Sequence, residues 1–225
     1  MINYEIPATL VEPLVPAGVE LDRWRDAVYV SVVGFLFRNT RVLGVSVPGH
    51  VTFEEVNLRF YVRREAAGVL KRGVVFVREL VPRRAIALIA RLWYNEPYRA
   101  LPMSHRFAPN SRTGTDRQYA WRTRSGWTTL HAATAGPPRP LEAGSEEEFI
   151  TEHYWGYTRQ RDGGTIEYQV AHPRWNVWTA FDVRLDGNLS ETYGPTFAAA
   201  LAGPPRSAFV ADGSPVIVYR PTRIR

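Results

Sequence analysis

The chain has 225 residues, 45% of them apolar, 12% aromatic and 22% charged, with a formal net charge of +6 at neutral pH. That length and composition suit a globular protein that buries a sizeable core without staples. The lack of cysteine excludes disulfides, thiol nucleophiles and thiolate metal sites, and fits a reducing cytoplasm.

The N-terminal stretch MINYEIPATLVEPLVP is broken by prolines and acids, with neither the basic start nor the apolar run of a secretory signal. The longest apolar run, Val28 to Phe37, is about half of the ~20 residues that a membrane helix needs. A soluble, cytoplasmic protein with no membrane partner is expected. The basic residues are nearly all arginine and are scattered from Arg23 to Arg225, whereas a nucleic-acid footprint clusters.

Asp26 to Phe37, DAVYVSVVGFLF, is β-branched and apolar on both faces and predicts a covered, central strand. Phe53 to Arg64 alternates. Val56, Leu58, Phe60 and Val62 share one face, and Glu55, Asn57, Arg59 and Tyr61 share the other. EAAG then turns the chain into a strand over Gly73 to Val81. From Pro82 the apolar period becomes helical through Tyr94, predicting an amphipathic helix that Pro97 stops. A hairpin is expected about Ser125-Gly126. The proline-rich Ala133 to Ser145 is a loop and the candidate internal boundary of an otherwise single domain over residues 1–225.

Ser145 with Glu148 three residues on forms a capping box for a short helix to His153. RDGG at Arg161 to Gly164 and DGN at Asp186 to Asn188 are turns. Alternation predicts strands through Ile166, Tyr168 and Val170, and from Trp175 to Leu185, with a corner at Pro173. Pro195 to Leu201 is a candidate third helix, and a hairpin is expected about Asp212-Gly213. The fold class that follows is mainly β, with α+β as the alternative: a curved antiparallel sheet or barrel carrying two or three short helices.

No glycine-rich phosphate loop, nucleophile elbow, dinucleotide fingerprint or ligand-spaced histidine cluster occurs, so neither a cofactor nor a metal is expected. His153 and His172 are candidates for acid–base work or for the ligand site. The competing reading makes His153 a cation near a helix end and His172 a cap on a core face.

The phrases FEEVNLRFYV, GVVFVREL, ARLWYNEPYRALPM, FITEHYWGYT, HPRW and VADGSPVIVYRP, in that order, resemble the YqjF-like family (domain of unknown function 2071), grouped with the acetoacetate decarboxylase-like superfamily. The resemblance implies a mostly antiparallel barrel- or cone-like domain with an internal cavity. It also makes a homo-oligomer a candidate, since the known enzymes of that superfamily assemble into oligomers. Those decarboxylases carry a pattern like Arg-Glu-x-x-Gly-x-Pro-Lys-Lys whose first lysine forms a Schiff base; this activated lysine is a standard example of a lowered amine pKa. Laid on it, Arg91 matches the arginine and Pro97 the proline, while Tyr98 and Arg99 take the two lysine positions. A phenol cannot form an iminium, and a guanidinium stays protonated. Lys71, the sole lysine, lies in the turn-like GVLKRG. Schiff-base decarboxylation is therefore not expected. Glu55 falls where the resemblance implies an acidic strand residue.

The leading reading is a pocket that binds, and as an open question transforms, a small organic acid or other small anion. Its candidate residues are Glu55, Asn57, Arg59, Arg91, Tyr98, Arg99 and His172, with Glu55, Tyr98 or His153 for any proton transfer. If Tyr98 and Arg99 are extended, they point to opposite sides and Tyr98 is the one expected inside. The same polar stripe on Phe53 to Arg64 also reads as an ordinary solvated sheet face. Two alternatives stand beside the pocket: a non-catalytic interaction protein whose cavity is filled by aromatic side chains, and, more weakly, nucleic-acid binding by an arginine and aromatic surface.

Overall fold

The structure, a computed structural model, describes residues 1–38, 41–42, 45–46, 52–83 and 95–224. In the first half run β1 (Ile2–Ile6), β2 (Glu20–Leu21), β3 (Val28–Phe37), β4 (Arg41–Val42), β5 (Val45–Ser46), β6 (Phe53–Ala66), β7 (Val69–Val81), β8 (Tyr98–Ala100), β9 (Met103–Pro109), β10 (Thr115–Thr123) and β11 (Gly126–Ala133). After a loop come α1 (Glu146–Thr151), β12 (Trp155–Arg159), β13 (Thr165–Ala171), β14 (Val177–Thr179), β15 (Phe181–Asp186), α2 (Leu189–Tyr193), α3 (Pro195–Leu201), β16 (Ser207–Ala211), β17 (Ile217–Val218) and β18 (Thr222–Arg223). The fold is mainly β.

The large sheet runs β14-β16-β1-β3-β6-β7-β12-β13-β17, with β2 added on β6, β8 on β7 and β18 on β13. Its end strands, β14 and β17, do not pair with each other among the described residues, so the sheet is open where a closed barrel was one expectation. Strands from both sides of the Ala133–Ser145 loop enter it. A second sheet runs β15-β11-β10-β9.

The apolar face of β6 explains its central place. Val56, Leu58, Phe60 and Val62 pack with Tyr119, Trp121 and Leu130 of the second sheet and with Tyr193, Phe197 and Leu201 of α2 and α3. Each fully buried side chain of this kind contributes roughly 1.5–3 kcal/mol relative to exposure. The opposite face meets α1, where Tyr29, Tyr61 and Val74 pack against Phe149 and Ile150.

β6 and β7 form a long hairpin whose two-residue turn has positive φ at both Ala67 (51°) and Gly68 (74°). That is type I′ geometry, which matches the twist of the strands but strains a residue with a Cβ. Replacing Ala67 by Asn is expected to raise unfolding stability by about 1 kcal/mol, read as a higher urea midpoint at unchanged slope.

Several expectations shift. The strand read from Trp175 to Leu185 divides at Ala180: β14 joins the large sheet through β16, whereas β15 pairs with β11. Asp182, at φ 48°, bends the chain just past that division. Asp212-Gly213 makes no hairpin. β16 pairs with β1 and β14, while β17 crosses to β13 at the far end of the sheet, because Asp212 is engaged by Asn176 instead. The hairpin near Ser125 turns one residue earlier, with Thr123 opposite Gly126. DGN serves as a helix entry, since the Asn188 side chain caps α2 by accepting from the Glu191 N–H at 3.2 Å. Pro195–Leu201 is helical as expected. Ser145 caps α1, but Glu148 reaches back to the Gly144 N–H, and the helix ends before His153. The helix expected over Pro82–Tyr94 falls, beyond residue 83, outside the described residues.

Candidate functional site: a buried carboxyl cluster beside an arginine

The polar stripe of β6 is not a solvated face. Glu55 and Asn57 are 2% and 1% exposed, and Tyr61 is buried as well, because α1 and the chain following it cover this side. Burial obliges the stripe to satisfy itself. The Asn57 amide donates to Glu55 Oε1 at 3.0 Å, and the Tyr98 hydroxyl donates to Glu55 Oε2 at 3.2 Å.

Two further carboxyls join them. Glu79 of β7 lies opposite Asn57 and is 1% exposed. It reaches this face because β7 carries a bulge: Arg78 pairs with Leu58 but Phe76 pairs with Arg59, leaving Val77 as the extra residue. The bulge reverses the alternation of β7, so Glu79 and Phe76 share a side. Glu96 is buried just ahead of β8 and accepts a 2.5 Å bond from the Tyr168 hydroxyl of β13. Pro97 lets Glu96 and Tyr98 converge, with the Tyr98 N–H bonded back to the Glu96 carbonyl at 2.8 Å.

Tyr168 can reach Glu96 because its cross-strand partner is Gly156, where an added Cβ would lie 2.1 Å from the ring. Parallel pairing of β8 with β7 sets Tyr98 beside Glu79.

Burial raises the Glu55 carboxyl to about 7, further lifted by the Glu96 charge and partly opposed by Asn57, Tyr98 and Arg59. Burial likewise raises Glu96 to about 7 against the bonds from Tyr168 and Thr158. Glu79 is pushed well above the usual carboxyl range by burial and then by the charges of Glu96 and Glu55. Burial and the same carboxylates keep Tyr98 and Tyr168 protonated, so both act as hydrogen-bond donors. Like charges brought this close out of water hold protons jointly.

Arg59 continues the stripe. It is partly buried, donates one bond, to the Ile150 carbonyl at 3.3 Å, and stands 5.6 Å from the Tyr61 ring centroid. Its Nε is buried without a partner, and among the described residues no carboxylate forms a salt bridge with it. Further along, His153 packs on Tyr61 and Phe149 and its Nε2 lies 3.1 Å from Asp22 Oδ2, which also accepts from Arg72 at 2.7 Å. Burial pushes Asp22 up, but these two bonds outweigh it and hold the carboxyl below its ordinary value. Burial lowers His153 to about 4, opposed by Asp22 and aided by the Arg72 charge. His153 is thus a neutral ring donating from Nε2, with Nδ1 a bare acceptor, and not the charged end of a helix.

The other candidates lie elsewhere. Arg99 points away from Tyr98, as alternation requires, and donates to the Glu191 carbonyl at 2.8 Å. His172 stacks on Trp175 at 4.0 Å and bonds the Pro173 carbonyl, so it belongs to a surface aromatic group and not to the carboxyl cluster. Proline at 173 ends the ladder and turns that ring outward. Arg91 lies outside the described residues. Lys71 is in β7, ion-paired with Glu167 at 2.6 Å and placed over the Trp155 ring. Among the described residues no group of three histidine or acidic side chains is arranged to hold a metal ion, and no described helix is long and apolar enough to cross a membrane.

The fold of this open, mostly antiparallel sheet is of the acetoacetate decarboxylase-like type. Acetoacetate decarboxylase from Legionella pneumophila matches with a TM-score of 0.60 at 13% identity, over 93% of this chain and 78% of that one. The enduracididine biosynthesis enzyme MppR in complex with pyruvate matches with a TM-score of 0.63 at 13% identity, over 99% and 84%. Within that class, the chain belongs to the DUF2071 family of uncharacterized conserved proteins, which it matches over residues 1–215. Uncharacterized protein YqjF of Bacillus subtilis (strain 168) is 26% identical over 175 residues, covering 76% of this chain and 69% of that protein.

Proposed function

We propose that this protein binds a small organic acid on the buried face of β6, with Arg59 receiving the carboxylate and Tyr98 and Glu55 addressing its polar far end. The observation that supports this most directly is Arg59. A partly buried guanidinium that forms no ion pair among the described residues, and whose Nε has no acceptor, is suited to an anion arriving from outside. The complex of MppR with pyruvate, on a similar fold, agrees with a ligand of this class. Glu55 and Tyr98 are the groups placed to exchange a proton with it. An iminium step is left out, since Lys71 is held by Glu167 and the residues at the decarboxylase lysine positions are Tyr98 and Arg99.

The test is a thermal-shift and calorimetric screen with pyruvate, acetoacetate and short unsubstituted carboxylates. A ligand at a hundredfold excess over its dissociation constant stabilises the folded state by about 2.7 kcal/mol. Arg59→Gln is expected to weaken the best hit at least tenfold, and Tyr98→Phe to weaken it while leaving unfolding cooperative. A hit unaffected by Arg59→Gln would overturn the assignment. A flat screen would favour the second reading, a non-catalytic interaction protein. That reading draws on the aromatic packing of Tyr61, Phe149 and His153, whose ring centroids lie 4.7–5.4 Å apart beyond Arg59.

A further inference from the structure

The carboxyl cluster is rich in acceptors, and apart from Asn57, Tyr98 and Tyr168 it serves them only with the protons that its carboxyls share. Asn57 spends its amide N–H on Glu55, which leaves its carbonyl Oδ1 buried with no partner. Opposite it in the ladder, Glu79 Oε2 is also buried with no partner. Both side chains are 1% exposed. These two oxygens belong to residues opposite each other in one strand pair, with Glu55 and Glu96 contributing two more carboxyls nearby, and in the free protein the proton that Glu79 keeps is the donor at hand. One shared proton serves one acceptor at a time, so this arrangement is poor as mere packing. It is equally poor for a second anion. What it lacks is a group with several N–H donors and a positive charge.

We infer that the ligand of this site is zwitterionic: a small acid whose carboxylate meets Arg59 and whose far end is a protonated amine, or another multi-donor cation, seated between Asn57, Glu79 and the Glu55 and Glu96 carboxyls. The spacing follows from the strand. Asn57 and Arg59 are two residues apart on the same face, roughly 7 Å along β6. An unbranched acid with four or five carbons between its two ends spans such a gap. The ammonium supplies three donors, enough for both orphan acceptors and one further carboxyl oxygen. Its charge also lets the cluster release protons that it otherwise has to share.

This inference rests on Arg59 as the carboxylate site, and the experiment separates the two. Calorimetry compares pentanoate with 5-aminopentanoate on the full chain, and then on Glu79→Gln. The expected result is that the amino acid binds at least tenfold more tightly than the plain acid. Glu79→Gln is expected to cut that ratio to threefold or less. Pentanoate binding as tightly as 5-aminopentanoate, or more tightly, overturns the zwitterion and leaves the Arg59 assignment standing. No binding of either acid overturns both. A tenfold preference that survives Glu79→Gln overturns the placement of the amine.

Discussion

Resistance to urea falls as the pH rises from about 5 to about 8, and Glu79→Gln flattens that fall. The native state holds protons on Glu55 and Glu96 up to a pH of about 7, and on Glu79 well above the usual carboxyl range. An unfolded glutamate loses its proton near 4.3. Between those limits the native chain binds more protons than the unfolded chain, so stability declines with pH at ~1.4 kcal/mol per pH unit for each such group. His153 acts the other way. Its native value near 4 lies below the ordinary 6.5, so the unfolded chain binds the extra proton and stability rises across that interval. The buried N-terminal amine of Met1, lowered from 8.0 to about 5 by burial and then by the Arg59 and Arg117 charges, acts as His153 does. Two rising contributions against three falling ones leave a net decline, which steepens above the ordinary histidine range and flattens above a pH of about 7, where Glu55 and Glu96 have ionised.

Asp22 and Glu167 do not change this picture. Burial pushes Glu167 up, but bonds from Lys71, Tyr157 and Arg64 hold it, like Asp22, below its ordinary value, so both act in acid. Glu79→Gln removes one of the falling groups, so the variant is expected to be more stable than the parent at pH ~8 and to differ little from it at pH ~5. Urea midpoints at the two pH values check this. A parent midpoint that climbs between them would mean that the three carboxyls do not share protons in the folded state.

Gly156→Ala is the most damaging single methyl to add near the site. The Tyr168 ring lies across Gly156, and an added Cβ would sit 2.1 Å from Cζ and 2.4 Å from the hydroxyl. No Cβ tolerates that approach, so the ring must move. Tyr168 is buried and its hydroxyl is the donor to Glu96, so moving it leaves a buried carboxyl without that bond. Overpacking and the lost bond together are expected to cost about 3–5 kcal/mol. A Tyr168→Phe variant separates the two contributions: it loses the bond but keeps the packing, and is expected to lose about 1–3 kcal/mol. Equal losses in the two variants would show that crowding at Gly156 is absorbed elsewhere.

Much of the fold was readable from local pattern. The apolar runs of β3 and β6, the EAAG turn, the cap at Ser145 and the helix at Pro195 rest on spacing of two or 3.6 residues and on the chemistry of turns, all of which act over a few neighbours. Glu55 and Tyr98 were also readable, from alternation along β6 and from the residues that replace the decarboxylase lysines. Their partners were not. Glu79 follows an apolar run, and strict alternation puts it on the other side until the bulge at Val77 is counted; a bulge leaves no reliable mark in one sequence. No local pattern marks Glu96, just ahead of Pro97, and Tyr168 reads as one more member of an alternating strand. The glycine of HYWGYT is explained by Tyr168 lying over it, across a register that the sequence does not encode locally.

The sequence by itself therefore determined the mainly β class, the absence of thiol chemistry, and the two-faced character of β6, because those depend on composition and on near neighbours along the chain. The tertiary structure decided the rest. It brought Glu55, Glu79 and Glu96 into one buried cluster, left Arg59 without a salt bridge among the described residues, set His153 neutral against Asp22, and sent His172 and Arg99 elsewhere. Each of those outcomes depends on strand register and on which face is covered, and both are set by contacts between segments far apart in sequence.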